Sequence, residues 1–62
     1  MKVKTYLKRH PEIREYYVEA GTSCALYRRD DFISDDNIPL GDYQIRRIEE
    51  APEPDELITL HI

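Results

Sequence analysis

The amino-acid sequence predicts an α+β domain: a short N-terminal helix packed on one face of a three- or four-stranded, mostly antiparallel sheet. Three observations lead there. Apolar residues recur at helical spacing before Pro11, they alternate with a period of two from Leu57 to Ile62, and turn-forming residues separate the runs between. With 62 residues the chain makes one domain, 1–62. A domain of that size buries only about 60% of the surface its unfolded chain exposes, so docking on another protein or self-association is a natural supplement.

In chain order, Val3, Tyr6, Leu7 and His10 follow the i, i+3, i+4, i+7 spacing of one helical face. Pro11 disfavours helical geometry at His10, so the helix should end there, with Lys8, Arg9 and His10 complementing its dipole in the last turn. Residues 12–20, EIREYYVEA, fit two templates. Ile13, Tyr16, Tyr17 and Ala20 make a helical stripe, which would extend to a continuous helix 5–20. The β-prone composition favours a hairpin instead, because the turn Gly21-Thr22-Ser23 leads at once into Cys24-Ala25-Leu26-Tyr27. The expected strands are Ile13–Glu19 and Ser23–Arg28.

Arg29 to Asp42, RDDFISDDNIPLGD, is polar. Phe32 and Ile33 are expected to be buried by this loop and Asp35-Asp36-Asn37 to turn. Ile38-Pro39-Leu40 should run extended and lay two apolar side chains on the core. The last third holds two more strand-like runs, Tyr43–Glu49 and Leu57–Ile62, around a connector carrying Pro52 and Pro54. It reads as the hairpin on which the rest packs, with the C-terminal strand at a free edge. Ile58, Leu60 and Ile62 should face the helix, leaving Thr59 and His61 on the other side.

The succession Val3/Tyr6/Leu7, a hairpin ending near Leu26, Ile38-Pro39-Leu40, Ile45…Ile48 and Leu57-Ile58-Thr59-Leu60-His61-Ile62 resembles short phage- and prophage-encoded proteins built from a helix and a β meander. The resemblance implies a protein that binds a host protein and blocks or redirects it, as inhibitors of bacterial defence nucleases do. It carries no functional motif and so assigns no site residue.

Thirteen acidic residues against nine lysines and arginines give a net charge of −4, which counts against a generic phosphate binder. Cys24 is the only cysteine, and a single thiol fits a reducing compartment. Lys2, Lys4, Lys8 and Arg9 precede no apolar run, so neither a signal peptide nor a membrane span is expected. The expected location is the cytoplasm of the host cell. With Gly21 and Gly41 the only glycines, there is no phosphate cradle and no nucleophile elbow, and zinc spacing is missing too. A calcium loop begun at Asp31 fails, placing Ile33 at its third position, Asp36 at its sixth and Asp42 at its twelfth. Cys24 with His10 or His61 is the one nucleophile–base pair to consider. A cysteine on the same strand face as Leu26 is better read as a small hydrophobe. No enzymatic activity, metal or cofactor is expected.

The most informative residue types are tyrosine and arginine, which dominate protein interfaces. Adjacent strand residues point to opposite faces, so one arginine of Arg28-Arg29 and one of Arg46-Arg47 should reach the face the helix leaves open. The candidate partner-binding residues are Tyr17, Tyr27, Arg29, Arg46, Arg47, Thr59 and His61. A structural account competes, in which tyrosines fill a small core beneath arginine stems. The expected function is a small protein-binding module, an inhibitor or adaptor whose partner is a host protein or a second copy of the chain in a C2 homodimer. The alternative is a nucleic-acid-binding module or an acidic nucleic-acid mimic.

Overall fold

A computed structural model describes residues 1–62. Helix α1, Val3–Arg9, buries Val3 and Leu7, two members of the predicted stripe. It stops where the proline requires: His10 takes φ −128° and ψ 70°, and its N–H donates back to the Leu7 carbonyl at 3.1 Å. No side chain caps the other end. Two of its unmatched N–H groups are met from outside the helix, Val3 by the Tyr43 carbonyl and Lys4 by the Gly41 carbonyl, each at 3.0 Å. Gly41 allows that approach, since a β-carbon there would stand 3.1 Å from the Ile38 side chain and 3.3 Å from Lys4 Cβ. Beside it Leu40 holds a left-handed φ of 61°, an uncommon conformation for a residue of its bulk.

The strands are β1 (Glu15–Ala20), β2 (Ser23–Arg28), β3 (Arg47–Glu49) and β4 (Thr59–His61). They form one mixed sheet in the order β2-β1-β4-β3. β1 and β2 pair antiparallel across a two-residue turn whose first position, Gly21, has φ 62°, as the right-handed twist of a tight hairpin demands. β3 and β4 form the second antiparallel hairpin. A parallel seam between β1 and β4 joins the two, with Tyr17 N–H donating to the Ile58 carbonyl and Ile62 N–H to the Glu19 carbonyl, each at 2.9 Å.

The α+β class, the single helix and the four strands match the expectation, and residues 15–20 form a strand and not the end of a longer helix. Three details differ. β4 lies inside the sheet between β1 and β3, so the free edges belong to β2 and β3. The expected strand Tyr43–Glu49 pairs with β4 only from Arg47, because its first part is taken by the N-terminus: Lys2 bridges Gln44, and Ile45 N–H donates to the Met1 carbonyl at 2.8 Å. Ile33, expected to be buried, is 95% exposed, while Phe32 turns inward against Tyr27.

Val3, Leu7, Tyr16, Val18, Ile38 and Leu60 make one buried cluster, so the helix, three strand residues and the Ile38 pin share a core. Beside it Arg29 acts as a clip. Its guanidinium donates to the carbonyls of His10 and Ile13, each at 2.9 Å, and forks onto Asp35 at 2.6 and 3.2 Å. These bonds tie the Pro11 bend to the 29–37 loop, where single 3₁₀ turns span Arg29–Asp31 and Asp35–Asn37. No helix is long and apolar enough to cross a membrane.

Candidate functional site

The hairpin turn fixes which side chains share a face. Pairing Ala20 with Ser23 sets Tyr16 opposite Tyr27 and Tyr17 opposite Leu26. Tyr16 is wholly buried, so Tyr17, Glu19, Cys24 and Leu26 emerge on the face away from the core. The seam and the second hairpin extend that face across the sheet in two rows. One reads Leu26, Tyr17, Thr59, Glu49, and the next reads Cys24, Glu19, His61, Arg47.

In the first row Tyr17 and Leu26 are 37% and 48% exposed, side by side. Next to them lies an open depression of about 510 Å³ that carries Glu49, Glu50, Asp55 and Glu56 around Tyr17 and Thr59. The prolines of the connector place these acids: Pro52 and Pro54 keep residues 50–56 out of the ladder and loop them beside the sheet.

In the second row His61 points outward yet is only 6% exposed, because long side chains from both neighbouring strands close over it. Its Nε2 lies 3.1 Å from Glu49 Oε1 and 3.3 Å from Arg47 Nη2, and its Nδ1 lies 3.6 Å from Glu19 Oε2. Nε2 donates to Glu49 in one tautomer and accepts from Arg47 in the other. Cys24 is exposed and stands two strands away, about 9.5 Å at the spacing of a sheet. His10 is on the other side of the molecule, its ring 4.4 Å from that of Tyr6. Neither histidine therefore meets the thiol to make a nucleophile–base pair.

Of the seven candidate residues, Tyr17, Thr59, His61 and Arg47 share the open face. Tyr27 does not: it turns toward the core, its ring 5.9 Å from that of Tyr16. Arg29 is 9% exposed and spends four of its five N–H donors as the clip, so it is not displayed to a partner. Arg46 lines a different groove of about 380 Å³ between α1 and β3, shared with Tyr6, Arg9, Ile45 and Ile48. Leu26, Glu19, Cys24 and Glu49 are the face residues outside the candidate set. Counting out from a two-residue turn would have placed the first three.

Three of the four carboxylates of the 30–36 loop are engaged, Asp31 being the exception. Asp30 pairs with Arg14, Asp35 with Arg29, and Asp36 with Lys8 at 2.6 Å; that last contact holds the Asp36 carboxyl below its ordinary range. No group of three or more histidine, cysteine or acidic residues is arranged to hold a metal ion. No family model, curated protein or solved structure matches the chain.

Proposed function

We propose that the chain acts by contact, as a small protein-binding module that docks a partner on the open sheet face and blocks or redirects it. The observation that carries this reading is the side-by-side exposure of Tyr17 and Leu26 on the face opposite the core. An aromatic and an aliphatic residue held rigidly on neighbouring strands can anchor an interface at little entropic cost. The acidic depression beside them suits a partner whose apolar contact is rimmed by lysine or arginine. An inhibitor or adaptor carried by a mobile element and working in the host cytoplasm is the form of this activity that we favour.

A second reading draws on the same depression: the four acids around Thr59 present carboxylates to a basic groove, as a nucleic-acid mimic does. Direct nucleic-acid binding is less favoured, because Arg14, Arg28, Arg29 and Arg47 each face a carboxylate of the chain itself. The test is quantitative affinity capture from extract of the source cell with wild type, Tyr17→Ser/Leu26→Ser, and the exposed control Ile33→Ser. A partner retained by wild type and control but lost by the double variant is the expected result. A captured set identical for all three would refute it. Salt titration of the recovered complex then separates the readings, with shallow loss for apolar docking and steep loss for the mimic.

A further inference from the structure

We propose that β3 is a self-pairing edge, and that two copies of this chain join through it as a C2 dimer with one continuous eight-stranded sheet. β3 lies at the end of the sheet, and all three of its residues are exposed. The direction of its free hydrogen-bonding groups follows from the neighbouring ladder. The seam bonds use the carbonyl of Ile58 and the N–H of Ile62, so β4 turns residues 58, 60 and 62 toward β1 and residues 59 and 61 toward β3. Their partners Glu49 and Arg47 therefore bond inward, and Ile48 between them presents its N–H and C=O outward.

Around that residue the sequence reads Arg46-Arg47-Ile48-Glu49-Glu50, a segment whose charge reverses about its centre. When two such segments lie antiparallel with Ile48 on the two-fold axis, Arg47 falls opposite Glu49 of the second copy, and Arg46, whose N–H is turned inward to the His61 carbonyl at 2.7 Å, reaches Glu50 through its side chain alone. Each Ile48 N–H then meets the Ile48 carbonyl of the other chain. A two-fold axis perpendicular to the sheet keeps faces matched, so the two Ile48 side chains, each 38% exposed, cover one another on the helix side. Sliding by two residues sets Arg47 against Arg47 or Glu49 against Glu49, so charge selects one register. The window also has natural ends. On one side Met1 already occupies the edge at Ile45, and on the other Pro52 leaves the strand. The opposite edge, β2, reads SCALYR and has no such complementarity. This edge shares Glu49 and Glu50 with the acidic depression but includes neither Tyr17 nor Leu26, and it stands or falls without that patch.

The test uses the whole chain and two single charge reversals placed outside the His61 cluster, Arg46→Glu and Glu50→Arg. Sedimentation equilibrium of the wild type should approach twice the 7.4 kDa chain mass as concentration rises. Each variant alone sets like charges opposite one another twice, and should dimerise at least about tenfold more weakly. Mixed in equal amounts they restore both opposite-charge pairs, and a heterodimer of wild-type affinity should form. That rescue also shows that both variants are folded. A wild type that stays monomeric overturns the proposal. So does a dimer that persists equally in each variant, which would place the contact at β2 or on the open face, or a mixture that fails to associate.

Discussion

Replacing Tyr16 by phenylalanine should strengthen this fold, and should do so increasingly as the solution becomes alkaline. Tyr16 is the largest wholly buried side chain, and its hydroxyl has no hydrogen-bond partner in the protein. A hydroxyl buried in that state costs about 1–3 kcal/mol on mutational scales, whereas the ring contacts with Tyr27 survive in Tyr16→Phe. The variant should therefore gain about 1 kcal/mol at about pH 8, below the ordinary tyrosine range. Burial, above all, also pushes the Tyr16 hydroxyl from 10.0 up to about 12. The folded chain thus holds that proton more tightly than the unfolded one, and the resulting stability is complete below pH 10 and lost as pH climbs toward 12. Each pH unit of displacement is worth about 1.4 kcal/mol, so the wild type should give up about that much by roughly pH 11. Phenylalanine has nothing to lose there, and the gap between the two proteins should widen to about 2.5 kcal/mol at that pH. Urea denaturation followed by circular dichroism across the alkaline range measures this directly. Tyr6, also raised chiefly by burial, is present in both proteins and cancels. A variant less stable than wild type at about pH 8 would mean that the hydroxyl is partnered. A gap that stays constant with pH would refute the burial argument.

Two further substitutions check the placement of side chains. Leu60→Ala opens a cavity at a residue with no exposed surface and should cost about 2–5 kcal/mol, while Thr59→Ala, one residue away on the open face, should cost under about 1 kcal/mol; equal effects in denaturation would mean the faces of β4 are reversed. Arg29→Ala strands the Asp35 carboxylate and two carbonyls and should cost about 3 kcal/mol. Arg29→Lys should recover little of it, since an ammonium cannot fork onto Asp35 while reaching both carbonyls. Wild-type stability in the lysine variant would count against the clip.

Much of the architecture was legible because each element has a local cause. Pro11 ends the helix, Gly21 turns the first hairpin, and the alternation of Ile58, Leu60 and Ile62 declares a strand with one buried side. The order of the strands has no such cause. Nothing near Thr59 reveals that it will run parallel to Tyr17, because that seam depends on how two hairpins pack. The C-terminal strand therefore looked like an edge when it is internal. The candidate site was half legible for a related reason. Tyr17, Thr59, His61 and Arg47 follow from alternation within a strand, but Tyr27 required the hairpin register, which pairs it with Tyr16 and sends it inward. Arg29 misled because its type suggests a surface. Its role depends on carbonyls at His10 and Ile13, and only folding brings these within reach.

The parallel seam between β1 and β4 has a consequence for how the molecule assembles. Each hairpin closes over a short stretch of chain and can form within about 1–10 μs, yet an isolated two-stranded hairpin is marginal in water. The seam joins Val18 to Leu60, 42 positions apart, and closing a flexible loop of that length costs about 3 kcal/mol of chain entropy. Both of those side chains belong to the buried cluster, so the core is completed in the same event that docks the hairpins. The slow step in folding is then a meeting of two preformed ribbons, and no part of the sheet acquires its final stability before residues 59–61 arrive.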